Sequence, residues 1–270
     1  MTYHIKKYLG IMMTAWLLAA GGTFVGAQAD IELTIPVTVD YWQYENALDP
    51  NDRLLAPSWI LDQANPGDRR HGTVVMVFDF TPPSNLPSAW RVKEARLRHY
   101  DMDMAQWVPG TTNDYGLPAE LQLYKAGFGP TYDEATWDGT QPIIAPYEPF
   151  CVGINNGTSV TQNVTTATPW ALGEPIGYNP GSMTEAFPID YQFDIEEAII
   201  QQEFRDDILA GKSVWMLSST HDLSAIGAAG TVPSVITQEG VSSFPGSQPP
   251  TLYLTIESTT TAAENWSLFE

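Results

Sequence analysis

Residues 92–100 read Val-Lys-Glu-Ala-Arg-Leu-Arg-His-Tyr, and in their second half Ala95, Leu97 and His99 alternate with Arg96, Arg98 and Tyr100. Successive side chains of a β-strand point to opposite faces, so this spacing predicts a strand with one face on a core and a basic, aromatic stripe on the other. The same period of two recurs in Thr251-Leu252-Tyr253-Leu254-Thr255-Ile256, where Leu252, Leu254 and Ile256 share a face. Further β-type runs lie between turn signals at 31–39, 72–80, 121–124, 189–193 and 213–218. Only 195–209 has helical spacing. Ile195, Ala198, Ile199 and Ile208 fall roughly on one stripe, Glu196 and Glu197 stand near its start and Gly211 follows its end. In that helix Asp206 and Asp207 read as a solvated face. Many strands, one helix and no strand–helix–strand alternation predict an all-β protein, an antiparallel jelly-roll-like β-sandwich with one short helix and long inserted loops.

Composition agrees. The 21 Gly, 21 Pro and abundant aromatics (9 Trp, 12 Tyr, 10 Phe) suit a turn-rich β protein, and 43% hydrophobic residues in a 270-residue chain suffice for a packed core. With 12 basic and 32 acidic residues the net charge is −20, which excludes a partner whose recognition depends on neutralising many phosphates, as DNA and RNA do.

Residues 1–29 read as a signal peptide: Lys6 and Lys7, an apolar stretch from Leu9 to Ala20, then small residues ending in Ala27-Gln28-Ala29. Cleavage there would leave Asp30 as the first residue, and the loss of two lysines and no acid would bring the charge to −22. The expected location is secreted, extracellular or at the cell surface. One sandwich domain is expected over 30–257, with inserts at about 102–118 and 142–188, followed by a polar tail or linker at 258–270. The lone Cys151 has no partner for an internal disulfide and reads as a buried, inert thiol, so no covalent staple is expected.

Catalytic constellations are weak. After signal removal only His71, His99 and His221 remain, and there is no Gly-x-Ser-x-Gly elbow, so a nucleophilic triad is not expected. Zinc is disfavoured by one Cys and the absence of a His-x-His or His-x-x-x-His pair. Close carboxylates such as Asp101 with Asp103 or Asp133 with Glu134 are accounted for by chance in so acidic a chain. Calcium, which prefers hard oxygen ligands, is the better candidate ion, at a site between early and late strands built on Asp40 and Glu239. The basic residues are few and clustered at Arg91, Lys93, Arg96 and Arg98. Two readings of that stripe stand: cross-strand pairing with the surplus acids, or a sugar or carboxylate site. In the second, Arg96, Arg98 and Tyr100 make contacts and Trp107, from the first insert, offers a stacking platform.

The order of several segments carries a family resemblance. Val39-Asp40-Tyr41, then Arg69-Arg70 leading into 74–80 with Phe78-Asp79, then the 92–100 strand, resembles the DNRLRE-domain family of bacterial extracellular β-sandwiches. Glu134-Ala135-Thr136-Trp137-Asp138 with Pro142 is similar to the family's Glu-x-Thr-Trp-Asn-x-x-Pro stretch. Phe193-Asp194-Ile195, Gly211, and Glu239 ahead of Pro249-Pro250-Thr251-Leu252 follow in family order, so the resemblance covers most of 40–257. The chain departs from the pattern in its long inserts and at His99, where the family usually has an apolar residue. The resemblance implies a non-catalytic jelly roll related to the carbohydrate-binding modules of polysaccharide-degrading enzymes. The expected function is therefore a secreted, non-catalytic carbohydrate-binding-like module for extracellular polysaccharide. A structural or adhesive module of a matrix or cell surface is the alternative, and a polysaccharide lyase or glycosidase comes third.

Overall fold

The computed structural model describes residues 29–44, 47–49, 54–55, 72–102, 112, 118, 120–126, 169–177, 186–220 and 234–259. In chain order these form β1 (Ile31–Pro36), β2 (Val39–Tyr44), β3 (Ala47–Asp49), β4 (Leu54–Leu55), β5 (Gly72–Asp79), β6 (Trp90–Met102), β7 (Leu121–Lys125), β8 (Ala171–Pro175) and β9 (Ala186–Gln192). The helix α1 (Ala198–Ala210), then β10 (Lys212–Ser219), β11 (Ser234–Ile236) and β12 (Thr251–Ser258), complete the set. The strands make one curled sheet in the order β1-β12-β6-β9-β8-β7-β10-β5-β2-β3, with β11 joined to β6 and β4. Among the described residues every named strand pairing is antiparallel. The all-β, sandwich-like class read from the sequence is the one observed.

Two places turn one sheet into two facing layers. Between β1 and β2 the chain changes layer within two residues: Val37 N–H donates to Pro250 O, beside β12, and Thr38 N–H donates to Val77 O of β5. In β8 the handover occurs inside a strand. Ala171 and Leu172 pair with Leu123 and Gln122 of β7, whereas Gly173, Glu174 and Pro175 pair with Tyr191, Asp190 and Ile189 of β9. A Cβ on Gly173 would lie 2.9 Å from both Leu121 Cβ and the Tyr191 ring, so the crossing of the layers admits only glycine without a shift.

The alternation read from the sequence puts the core between these layers. Val92, Ala95, Leu97, Leu252, Leu254 and Ile256 from one layer belong to the same buried cluster as Val74, Met76, Phe78, Leu121, Leu123, Trp215 and Leu217 from the other. Burying each of the larger side chains contributes roughly 1.5–3 kcal/mol relative to leaving it in water. At one end α1 adds Ile200, Phe204 and Ile208, and the rings of Phe193, Phe204 and Trp215 pack with centroids 4.7–5.6 Å apart.

The structure corrects the helix and one insert. The helix begins at Ala198, because the preceding residues are held in a turn by Asp194, whose carbonyl accepts the Glu197 N–H and whose Oδ1 accepts the Glu196 N–H. Its buried stripe is Ile200, Phe204 and Ile208, and Ile199 is 56% exposed. Starting the count at Ile195 had rotated the stripe by about one residue. Gly211 ends the helix as expected, at φ 71° with its N–H on Asp207 O. β8 and the first three residues of β9 fall inside the stretch 142–188 read as a loop, because β8 is short and holds Gly173 and Pro175.

Candidate functional site

The outward face of β6 carries the basic stripe. Ala95, Leu97 and His99 are fully buried, and Arg96, Arg98 and Tyr100 lie half-buried on the other side. Arg98 stands opposite Asp190 of β9 in the ladder and grips its carboxylate with Nε at 2.5 Å from Oδ1 and Nη2 at 2.7 Å from Oδ2. Arg96 donates from Nη1 to Asp190 Oδ2 at 2.8 Å, and its guanidinium lies 4.4 Å above the ring of Tyr253, its register partner on β12. Burial pushes the Asp190 carboxyl up, but the hydrogen bonds and charges of Arg98 and Arg96 outweigh it and hold the group below the usual carboxylate range. Tyr100 stands opposite Pro188. Trp107 lies outside the described residues.

The rest of the basic cluster is also paired. Register slips by one residue where Thr255 faces Glu94 and Ile256 faces Val92, so Lys93 is extra and turns outward beside Glu94. There Lys93 Nζ meets Asp30 at 2.8 Å, while Arg91 meets Glu257 at 2.6 Å. Between β1, β12, β6 and β9 runs an open groove of about 190 Å³ whose walls include Glu32, Thr34, Glu94, Arg96, Gln192 and Tyr253. Gln192 donates its amide N–H to Ala95 O, which leaves its Oε1 for the groove, so the walls combine an aromatic ring, one guanidinium and several acceptors.

Asp40 and Glu239 are brought together by the fold. Asp40 on β2 is buried; its Oδ2 accepts the Gln238 N–H at 2.9 Å, and its Oδ1 is buried without a hydrogen bond. Burial, aided by the neighbouring Glu239 carboxylate and only partly offset by the Gln238 N–H, pushes the Asp40 pKa up to about 7. The pair is suited to hold either a shared proton or a cation. Among the described residues no group of three or more His, Cys, Asp or Glu is arranged to hold a metal.

His99 is fully buried, with Nε2 at 2.9 Å from the Tyr191 hydroxyl and Nδ1 at 3.3 Å from Tyr100 O. Burial lowers its pKa to about 4, which keeps the ring neutral. Nδ1–H donating to the carbonyl and Nε2 accepting from Tyr191 fits both distances.

A second polar cluster was not anticipated. Asp207 is no solvated carboxylate: Lys125 Nζ touches its Oδ2, and Ser213 Oγ donates to the same oxygen at 2.6 Å. Trp215 Nε1 donates to Ser213 Oγ at 2.8 Å, and Lys125 Nζ sits 4.9 Å from the Trp215 ring centroid. The signal for Lys125 was present in the sequence. Leu121, Leu123 and Lys125 share one strand face, and the two leucines are core.

No known family model matches the chain, and no curated protein is similar to it. Among the described residues no helix is long and apolar enough to cross a membrane.

Proposed function

We propose that the chain is a secreted, non-catalytic carbohydrate-binding-like module, akin to the DNRLRE domains it resembles, and that extracellular polysaccharide binds on the outer face of β1, β12, β6 and β9. The observation that carries this reading is the groove beside Arg96 and Tyr253. An aromatic ring flanked by a few convergent polar groups is a common way to hold a flexible, hydrated ligand. Arg98 and Tyr100 extend the same face, and Trp107 is the proposed stacking platform. Asp190 already neutralises part of the charge of both arginines, so hydroxyl-rich sugars suit the face better than polyanions, which the overall charge also repels. Calcium belongs to the same reading as a structural ion. Asp40 and Glu239 would supply carboxylate oxygens, with the orphaned Asp40 Oδ1 as first ligand, and backbone carbonyls and water would complete the shell.

A panel of soluble polysaccharides, assayed for binding and for breakdown products, tests the function. Binding without product supports it, and Tyr253→Ala and Arg96→Ala should then weaken binding. Product formation would make the protein an enzyme, and neither binding nor product would leave the structural or adhesive module.

A further inference from the structure

We propose that Lys125 and Asp207 condense to an intramolecular amide bond that ties α1 to β7. The two side chains meet across 82 residues of sequence, and they are only 7% and 13% exposed. Lys125 ends the inward row of β7 directly opposite Trp215, whose ring lies under the ammonium; Asp207 reaches the same spot from the last turn of the helix, pinned there by Gly211. No insulating solvent separates them, and a charged pair held in such surroundings keeps a desolvation cost that an amide does not have.

The chemistry balances within the cluster. A proton passes from the Lys125 ammonium to Asp207 Oδ2, giving a neutral amine beside a neutral acid. Burial favours that state of the acid: it raises the Asp207 pKa even against the opposing charge and hydrogen bond of Lys125. The amine lone pair then attacks Cγ and forms the C–N bond. The C–Oδ2 bond breaks, a second amine proton leaves with that oxygen, and one water is released; Oδ1 remains as the amide carbonyl. Ser213 Oγ–H, already donating to Oδ2 and itself held by Trp215 Nε1–H, assists departure of that oxygen. No oxidant, metal or activated intermediate is needed, because fixing both reactants in contact replaces a bimolecular encounter with an intramolecular one. In a chain whose single cysteine forbids an internal disulfide, the bond would be a redox-independent staple.

The test is the intact mass of the purified, folded protein under denaturing conditions, followed by peptide mapping. The expected result is a deficit of one water and a branched peptide that joins the Lys125 and Asp207 segments. Lys125→Arg, which keeps the charge, should show the full mass and unfold at a lower temperature. Asp207→Asn should form the same bond with loss of ammonia in place of water, and Ser213→Ala should lower the linked fraction. A wild-type protein of full mass, or a water loss mapped to another position such as Asp138-Gly139, overturns the proposal.

Discussion

Asp190 is the counter-ion of two arginines at once: Arg98 holds it through two hydrogen bonds directly across the β6–β9 ladder, and Arg96 through a third from the next outward position of β6. A charge shared in this way at a half-buried strand surface is stronger than an exposed pair, and its loss leaves two guanidinium groups uncompensated. Asp190→Ala is expected to destabilise the fold by about 1–3 kcal/mol, read from urea unfolding at pH 7. Because the folded-state pKa of Asp190 is lowered, its contribution is full above the ordinary carboxylate value and fades as pH falls through the folded one, so the variant and the wild type should converge in acid.

Two buried groups drive the pH dependence in opposite senses. His99, depressed to about 4, adds stability that is complete above the ordinary histidine value and is lost as pH falls toward 4, by about 3 kcal/mol at most. Asp40, raised to about 7, adds stability that is complete below the ordinary carboxylate value and is lost as pH rises toward 7. Between pH 4 and 7 the two slopes oppose each other. Asp40→Asn should therefore become steadily more stable with rising pH over that range, and His99→Leu should become less so. Unfolding curves at three or four pH values decide it, and parallel slopes in both variants would refute the assignment.

Calcium should act through the same acid pair. At pH 7 a millimolar excess of calcium is expected to raise the thermal midpoint and a chelator to lower it, since a ligand bound only to the native state stabilises by mass action. Glu239→Gln should remove most of this response. No response in the wild type would leave the pair a proton-sharing site alone. Reducing agent should leave the midpoint unchanged in every case.

Gly173→Ala is expected to cost about 1–3 kcal/mol, because its Cβ would collide with Leu121 and with the Tyr191 ring at 2.9 Å and both are fixed in the core. Gly177→Ala is the control: a Cβ there meets nothing within 4 Å, so only the left-handed backbone at φ 69° opposes it. Comparing their denaturation midpoints separates steric from conformational cost.

Export has a direct readout. The amino-terminal residue of the protein recovered from a secreting host should be Asp30, established by mass spectrometry, and a species that still begins at Met1 in the membrane fraction would refute cleavage.

Period-two alternation was enough to place β6 and β12 and to assign the faces of 95–100, because an antiparallel strand with one dry side writes its geometry directly into the sequence. β8 left no such trace. Its five residues, Ala-Leu-Gly-Glu-Pro, divide between two partners, so neither face is continuous. Asp40 and Glu239 were picked as hard oxygen ligands on early and late strands, and in the structure the Glu239 carboxylate is near enough to raise the Asp40 pKa. Asp190 and Tyr253 were passed over for a different reason. Each is an outward residue whose role arises only from its neighbour across the ladder, and that register is a tertiary fact. Lys125 was overlooked because a lysine in an apolar row reads as a strand end, and only the helix packed over it shows that water is excluded.

The handover within β8 makes the two layers a single ribbon, folded over at Gly173. Detaching one layer from the other would break hydrogen bonds on both sides of Gly173, so loss of either layer is expected to disturb its neighbour. Trp90, on one layer, and Trp215, on the other, are both buried. As local reporters of unfolding they should share one midpoint, whichever half is perturbed first.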